Sequence, residues 1–205
     1  MTDTKTAGMQ ATQKPGAARS VWALDPAHSS LHFSGRQMMI STVRGHFSSF
    51  DARIEGNDED PENATVQVTV DAASLNSGLE QRDQHLRSPD LLDVATFPTI
   101  DFRSTSIQKG DDDRLKVAGE LTIKGVTRPI QTEATLHGVA VGMSGARRAA
   151  FSTEFTIDRG DWGMSFNVPL GGDAVLIGRE ITLQFELTVE ESAADGATEE
   201  GSPSA

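Results

Sequence analysis

Apolar and polar residues alternate along most of the chain, with the period of a β-strand that buries one face. The alternation is clearest in ATVQVTVD at 64–71, AFSTEFTID at 150–158 and EITLQFELTVE at 180–190. Weaker versions occur at 29–36, 42–55, 97–108, 114–123 and 126–141. Strands with one apolar and one polar face predict an antiparallel sheet that covers a single core.

The segments between these strands carry turn residues. KGDDDR at 109–114 and KGV at 124–126 are typical of hairpin turns, and NDEDPEN at 57–63 is typical of a longer polar loop. The apolar positions slip between Phe47 and Phe50, which are three residues apart, so we expect a β-bulge that bends this strand. About eight strands in roughly 170 residues predict a closed antiparallel barrel or a sandwich.

The stretch 77–93 breaks the alternation and predicts a short helical connection, which we place around 74–93. Residues 77–80, SGLE, match the S-x-x-E capping box, so we expect a helix to begin there. The helix should end before Pro89, and a second short turn should follow over 88–92. Leu79 and Leu86 share one helix face, which predicts that both are buried.

The same connection concentrates the residue types that acid–base catalysis uses. Arg82 and Asp83 share the leucine face and are expected at the border of the core, while Asp83 and Arg87 have the spacing of an ion pair. No Ser, Cys or Lys nucleophile stands visibly beside His85. The favoured interpretation is a polar-edged helix over one end of the barrel. Contacts of Arg82, Asp83 and His85 with a ligand headgroup, or catalysis, are the alternatives.

Charge and composition narrow the chemistry further. The 205 residues carry a net charge of −12, which repels phosphate backbones and anionic lipid headgroups. We therefore expect no nucleic-acid partner and at most transient membrane contact. The chain has neither cysteine nor tyrosine, so disulfides, thiol nucleophiles, thiolate metal sites and phenol acid–base chemistry are excluded.

Both ends of the chain differ from the body in composition. Residues 1–20 and 191–205 are polar and lack periodicity, which predicts two disordered tails around a folded body at 21–190. The first tail carries a net +2 and the second −4, so the body keeps a net charge of −10. The N-terminus has no apolar run of the kind a signal peptide needs, and a cytoplasmic location is expected.

Two further groups of residues have competing interpretations. His28, His32 and His46 lie on neighbouring strand candidates and could hold zinc, but the turn residues beside His28 argue against it, and we predict no metal and no cofactor. DWGMSFN at 161–167 places two aromatic rings beside a methionine, which suits an adaptable apolar ligand or an ordinary core strand or lid. The Met-Met-Ile run at 38–40 has the same alternatives.

Four blocks in order resemble the YceI-like family of lipocalin-like polyisoprenoid-binding proteins. They are WALDPAHSSLHFSGRQMMISTVRGHFSSFDARI, SLNSGLEQRDQHLRSPDLLDVATFPTIDFRSTSI, LKVAGELTIKGVTRPI and FSTEFTIDRGDWGM, and they cover essentially 21–190. The resemblance implies an eight-stranded antiparallel β-barrel with an apolar tunnel for a polyisoprenoid chain, and often a homodimer. It transfers no catalytic residue. Members commonly have His in the block at Gln37, and many are exported.

The expected function is therefore non-enzymatic binding, carriage or sequestration of a long-chain polyisoprenoid lipid, such as a prenylated quinone, inside the barrel. The barrel lining needs only apolar surface, because removing such surface from water gives about 25 cal/mol per Å². The predicted lining residues are Phe33, Phe47, Phe97, Phe102, Leu121, Phe151, Phe155, Trp162 and Phe166, with Arg82, Asp83 and His85 as headgroup candidates.

Two alternatives stay open. One is a cofactor-independent enzyme that acts on an isoprenoid-like substrate, with His85 and Asp83 as the acid–base pair. The other is a barrel filled by its own side chains that serves as an interaction module, since an eight-stranded barrel has room for either side chains or one slim ligand.

Overall fold

Eight antiparallel strands close into a barrel. The computed structural model describes residues 20–57, 60–143, 145–171 and 174–192. Its strands are β1 (Ser20–Leu24), β2 (Ser30–Gln37), β3 (Ser41–Phe47), β4 (Phe50–Asn57), β5 (Asp60–Asp71), β6 (Leu75–Asn76), β7 (Thr99–Lys109), β8 (Arg114–Ile123), β9 (Val126–Val141), β10 (Arg147–Asp158), β11 (Pro169–Gly171), β12 (Ala174–Val175) and β13 (Ile177–Ser192). The α-helix is α1 (Glu80–Arg87), and short 3-10 helices span Pro26–His28, Ala72–Ser74 and Arg159–Trp162.

The strands follow one another around the barrel in chain order. β1 and β2 form one interrupted strand and β3 and β4 another, and these are followed by β5, β7, β8, β9, β10 and β13. β13 closes the barrel because it pairs with both β1 and β2. This arrangement confirms the prediction of an eight-stranded antiparallel barrel rather than a sandwich.

Each interrupted strand bends where its pairing stops. Between β1 and β2, the Asp25 carboxylate accepts the N–H of Ala27 at 3.1 Å and contacts His28 Nδ1 at 2.8 Å, which stabilises the turn. Between β3 and β4 the chain leaves the ladder at residues 48–49. A bend is therefore present between Phe47 and Phe50, but it is a two-residue interruption of the strand and not the predicted β-bulge.

The two predicted hairpin turns are present, but the third connection is shorter than expected. Lys124 and Gly125 have φ of 50° and 71° and join β8 directly to β9. The 109–114 turn joins β7 to β8. The predicted loop at 57–63 is wrong in extent, because β5 already begins at Asp60 and pairs there with Asn57.

The connection from β5 to β7 contains α1, and its details differ from the prediction. Ser77 does not cap the helix; its N–H and hydroxyl bind the Asp83 carboxylate instead, with N–O distances of 3.0 and 3.1 Å. Asp83 is consequently buried, not at the core border, and it binds Ser77 rather than Arg87. Leu79 is 52% exposed, so its predicted burial is wrong, whereas Leu86 packs on the core.

The C-terminal part of this connection agrees with the sequence. α1 ends at Arg87, before Pro89, and the Leu91 N–H donates to Ser88 O at 3.1 Å in the expected second turn. Arg87 donates to the carbonyl oxygens of Ala73 and Leu75, which ties the helix to β6 and to the 3-10 helix before it. The helix and this turn therefore lie across one end of the barrel.

The barrel extends slightly past the predicted body at 21–190. β1 begins at Ser20 and β13 extends to Ser192, so three residues assigned to the tails (20, 191 and 192) pair in the barrel. The remainder of both predicted tails, 1–19 and 193–205, lies outside the described residues. Within the described part of the chain, no helix has the length and apolar character needed to span a bilayer.

Candidate ligand-binding cavities

Two cavities occupy the barrel interior, one behind the other. Cavity 1, of about 150 Å³, extends to the β4–β5 and β9–β10 turns, where Asn57, Pro61 and Val139 line it. Cavity 2, of about 120 Å³, extends to the other end, where Leu86, Leu91, Leu92 and Met164 cover it. We call these ends of the barrel the turn end and the capped end.

Four side chains line both cavities and form a waist between them. They are Val68, Phe102, Leu121 and Phe185. Phe102 lies over Gly119 so closely that a Cβ there would lie 2.4 Å from the ring, so the absence of a side chain at Gly119 makes room for the ring. Side chains, including the rings of Phe102 and Phe185, therefore lie between the two cavities.

The alternation of the strands produces this apolar interior. On β13, the predicted inward positions are shared between the cavities: Ile181 and Leu183 line cavity 2, and Leu187 and Val189 line cavity 1. The polar residues at cavity 1 are already bonded, as the Thr132 and Thr153 hydroxyls contact each other at 2.7 Å. The cavities consequently offer hydrocarbon contact and almost no hydrogen-bonding groups.

A buried arginine closes the side of cavity 2. Arg159 donates from Nε to Gly178 O at 2.9 Å, from Nη2 to Ile177 O at 3.3 Å and from Nη1 to Met164 O. Burial lowers the pKa of its guanidinium below the usual range, although the neighbouring Asp158 carboxylate acts in the opposite direction. Since its nitrogens point to backbone carbonyls, Arg159 holds the strand ends together and presents hardly any polar surface to the cavity.

Sequence reasoning missed Arg159 although a signal was present. The inward positions of β10 are Phe151, Phe155 and Ile157, and the next odd-numbered position is 159. Extending the period by two residues would have placed this arginine inside. The turn residues around Arg159, in DRGDWG, suggested instead that the alternation ended before this position.

Six of the nine predicted lining residues line a cavity. Phe151 and Phe155 line cavity 1, Phe33 and Phe47 line cavity 2, and Phe102 and Leu121 line both. These positions support the prediction but do not test ligand contact.

The other three predicted lining residues pack around the capped end. Phe97 lies against Gly125 of the β8–β9 turn, where a Cβ would be 2.5 Å from its ring. Trp162 is buried and donates from Nε1 to Leu121 O at 3.1 Å. The Phe166 ring meets the His85 ring edge-on, with centroids 4.7 Å apart. The 161–167 segment is thus a cover over the barrel and not a strand.

The headgroup candidates lie on α1, outside both cavity linings. Arg82 donates from Nε to Ser77 Oγ and from Nη2 to Ser77 O, both at 2.7 Å. Asp83 binds the same serine, whereas His85 Nε2 lies 3.3 Å from Asp90 Oδ2. The Asp83 and His85 side chains therefore have separate partners. Contact of these three residues with a headgroup stays a prediction.

Of the three histidines considered for zinc, two are neighbours and the third has another partner. His28 contacts Asp25, whereas His32 and His46 lie opposite each other on β2 and β3, with ring centroids 6.2 Å apart. Across the described ranges, no three His, Asp or Glu residues are grouped so that they could hold a metal ion.

The chain is similar in sequence and in fold to known proteins. Residues 22–189 match the family model of the YceI-like domain. A UPF0312 protein of Staphylococcus aureus (strain N315) is 33% identical over 175 residues, which are 85% of this chain and 98% of that protein. The YceI protein of Campylobacter jejuni superimposes with a TM-score of 0.67 at 28% identity, over 77% of this chain and 90% of that structure.

Two more distant structures share the fold. BcnA of Burkholderia cenocepacia gives a TM-score of 0.70 at 22% identity, over 80% of this chain and 98% of that chain. A polyisoprenoid binding domain from Saccharophagus degradans, implicated in plant cell wall breakdown, gives a TM-score of 0.64 at 18% identity, over 83% of this chain and 98% of that chain. With the family model matched from 22 to 189, the chain belongs to the YceI-like family.

Proposed function

We propose that the protein binds the hydrocarbon chain of a polyisoprenoid lipid, such as a prenylated quinone, inside the barrel and carries or sequesters it unchanged. The observation that carries this proposal is the pair of apolar cavities in line along the barrel, separated by side chains alone. Their presence argues against the alternative of a filled barrel. The similar domain of Saccharophagus degradans, described as polyisoprenoid binding, supports the proposal.

The size and chemistry of the cavities suit a slim apolar chain. An apolar cavity of about 150 Å³ lined by Leu, Ile and Phe stays dry and accepts a hydrocarbon the size of benzene. Two such cavities (about 150 and 120 Å³) joined at the waist would hold consecutive segments of one chain. Because the surface of both cavities is almost entirely apolar, a polar headgroup would stay outside the barrel.

Native mass spectrometry and lipid extraction of the purified protein test this proposal. We expect a prenyl lipid at near one per chain, or stoichiometric uptake of added ubiquinone. Ala134→Phe places a phenyl ring in cavity 1 and should abolish retention, because Ala134 lines that cavity. Ala118→Phe is the matched control, since Ala118 lies between the inward Val117 and Gly119 and points outward.

The outcomes separate binding from its alternatives. An empty protein that also fails to take up ubiquinone would refute the proposal, as would equal retention by both phenylalanine variants. His85→Ala addresses the enzyme alternative. We expect it to retain the lipid, because the His85 side chain contacts Asp90 and Phe166 rather than lining a cavity. Loss of turnover of an isoprenoid substrate in this variant would instead favour an enzyme.

A further inference from the structure

The hairpin between β2 and β3 presents three consecutive apolar side chains to solvent. Met38, Met39 and Ile40 are 43%, 47% and 78% exposed. Exposed apolar residues in contiguous groups are uncommon on monomeric soluble proteins and mark surfaces that meet a partner or a membrane. The exposure of these three side chains therefore points to a contact with a partner or a membrane.

The backbone of this hairpin makes the choice of residues more unusual. Met38 and Met39 have φ of 51° and 62°, and the Ile40 N–H donates to Gln37 O at 3.2 Å. Positive φ at both central residues is the arrangement of a type I′ turn, for which Asn-Gly is the preferred pair. Methionines here work against the turn, so their side chains are not explained by the folding of the hairpin.

A second exposed segment continues the surface. The Met38 N–H donates to Leu176 O, and the Leu176 N–H donates to Val168 O, both at 2.9 Å. Val168 and Leu170 are 40% and 45% exposed. We call the five residues Met38, Met39, Ile40, Val168 and Leu170 the apolar tip. It lies at the capped end of the barrel, beside Ile177, which lines cavity 2.

The charge around the hairpin differs from that of the whole protein. The chain contains 30 acidic residues, yet residues 29–50 contain none and include Arg36 and Arg44. The Arg36 guanidinium is exposed and held at the turn, donating to Met39 O at 3.1 Å and Thr42 Oγ1 at 3.0 Å. Arginine beside exposed apolar side chains is suited to lipid phosphate groups above an acyl layer.

We propose that the apolar tip docks the protein on the surface of a phospholipid bilayer. The Met38–Ile40 side chains enter the boundary between headgroups and acyl chains, and Arg36 meets lipid phosphates. The purpose of this contact rests on the proposed function. Because the tip adjoins cavity 2, docking brings that cavity close to the membrane that supplies or receives the lipid. The docking itself requires only the tip.

A second copy of the chain fits this surface less well. A symmetric contact through the tip would bring Arg36 of one copy towards Arg36 of the other. Phosphate groups complement these arginines instead. Because the net charge of −12 works against strongly anionic membranes, a zwitterionic surface at about 0.15 M salt is the appropriate probe, where remote charges are screened beyond roughly 8 Å.

The test is cosedimentation of the full chain with phosphatidylcholine vesicles. We expect wild type to bind and Met38→Asn/Met39→Gly to bind at least tenfold more weakly. This variant removes the two methionine side chains of the tip while giving the turn its preferred residues, so a loss of binding cannot be ascribed to unfolding. Met143→Ser is the matched control, because Met143 is fully exposed at the opposite end and its replacement should leave binding unchanged.

Each result decides the proposal. Wild type that does not bind, or a tip variant that binds as well as wild type, overturns it. Sedimentation velocity provides a further arm: a wild-type dimer that the tip variant dissociates would assign the tip to a second copy. Lipid content is measured in the same samples. If the protein retains lipid but does not bind vesicles, the docking proposal is refuted and the carrier function is not. If the protein holds no lipid but binds vesicles through the tip, the carrier function is refuted and docking is not.

Discussion

The two ends of the barrel are built differently. At the turn end, tight hairpins join the strands and border cavity 1 directly. At the capped end, α1, the following turn and the Arg159–Trp162 helix lie over cavity 2. The buried charged residues among those described, Asp83 and Arg159, both lie at the capped end.

This difference shows what buried charge does in the protein. Asp83 accepts hydrogen bonds from Ser77, and Arg159 donates to three backbone carbonyls. Each fixes a connecting segment that lacks strand pairing, because buried backbone groups outside a ladder need other partners. The charged residues at this end therefore anchor the cover of a binding cavity. Removing them should affect the capped end, whereas comparable changes at the turn end should have little effect.

The largest effect is expected from Arg159→Met. Methionine fills similar space but leaves the carbonyls of Met164 and Gly178 without their donor. Each buried unsatisfied acceptor costs about 1–3 kcal/mol. Part of this cost is offset because the substitution also removes a desolvated cation. We therefore expect the free energy of unfolding to fall by about 3 kcal/mol. Urea denaturation measures this loss, and hydrogen exchange should accelerate in the segment around Met164.

Arg114→Met is the control at the turn end. Arg114 is exposed and pairs with Glu133 at 3.0 Å, and exposed pairs contribute about 0–1 kcal/mol. If the two variants lost similar stability, the anchoring role of Arg159 would be wrong.

Asp83→Ala should have the next largest effect. It removes the carboxylate that accepts the Ser77 N–H and hydroxyl, and hydrogen bonds to a charged group are worth about 1.5–3 kcal/mol. We expect a loss of about 2 kcal/mol, measured by thermal and urea unfolding. Asp90→Ala is the control on the same connection, because Asp90 is exposed and should change stability by less than about 0.5 kcal/mol. Equal losses in both variants would contradict this ranking.

The barrel was predictable from the sequence because alternation reports directly on which face of a strand is buried. Val66, Val68 and Val70, predicted on one face of β5, all line a cavity. The break between Phe47 and Phe50 was also indicated by the sequence, since these two apolar residues are three apart instead of two, although it is an interruption and not a bulge. The choice of a closed barrel followed from the family resemblance, because alternation alone left a sandwich open.

The capped end was less predictable because several polar groups there could form hydrogen bonds with the same partner. Ser77 matched a capping box, yet its hydroxyl binds Asp83 and Arg82 instead of the helix N-terminus. Leu79, which helical spacing assigned to the core, stands before the helix and is exposed. Sequence spacing cannot decide which of several acceptors a serine reaches, and this is why the cover was predicted in outline only.

A smaller effect of opposite sign is expected at the apolar tip. Met38→Asn/Met39→Gly replaces two residues with positive φ by residues that adopt this conformation readily. We expect the free energy of unfolding to rise by about 1 kcal/mol. A chemical denaturation curve measures the gain. Met143→Ser at the turn end should leave stability within about 0.5 kcal/mol of wild type. A less stable tip variant would show that the methionines support the fold.

The smallest effect concerns acid stability at the capped end. The N–H of Gly160, at 2.8 Å from Asp158 Oδ1, lowers the pKa of the Asp158 carboxyl below its usual value of 3.8, and Arg179 lowers it further, while burial opposes both. A lowered folded-state pKa means that the folded protein binds the proton more weakly than the unfolded chain. The resulting stability is present above about pH 4 and is lost as the pH falls through the lowered pKa.

Asp158→Asn removes this linkage. We expect wild type to be the more stable of the two at pH 6 by less than about 1 kcal/mol, because Asp158 is partly exposed and its ion pair with Arg179 is screened by solvent. The difference should shrink as the pH is lowered from 6 to 3, when the wild-type carboxylate becomes protonated and its pair with Arg179 is lost. Urea unfolding of both proteins across this range measures it. A difference that stays constant with pH would mean that the Asp158 carboxylate holds the 3-10 helix through shape and hydrogen bonding alone, and that its charge contributes nothing to the cover of cavity 2.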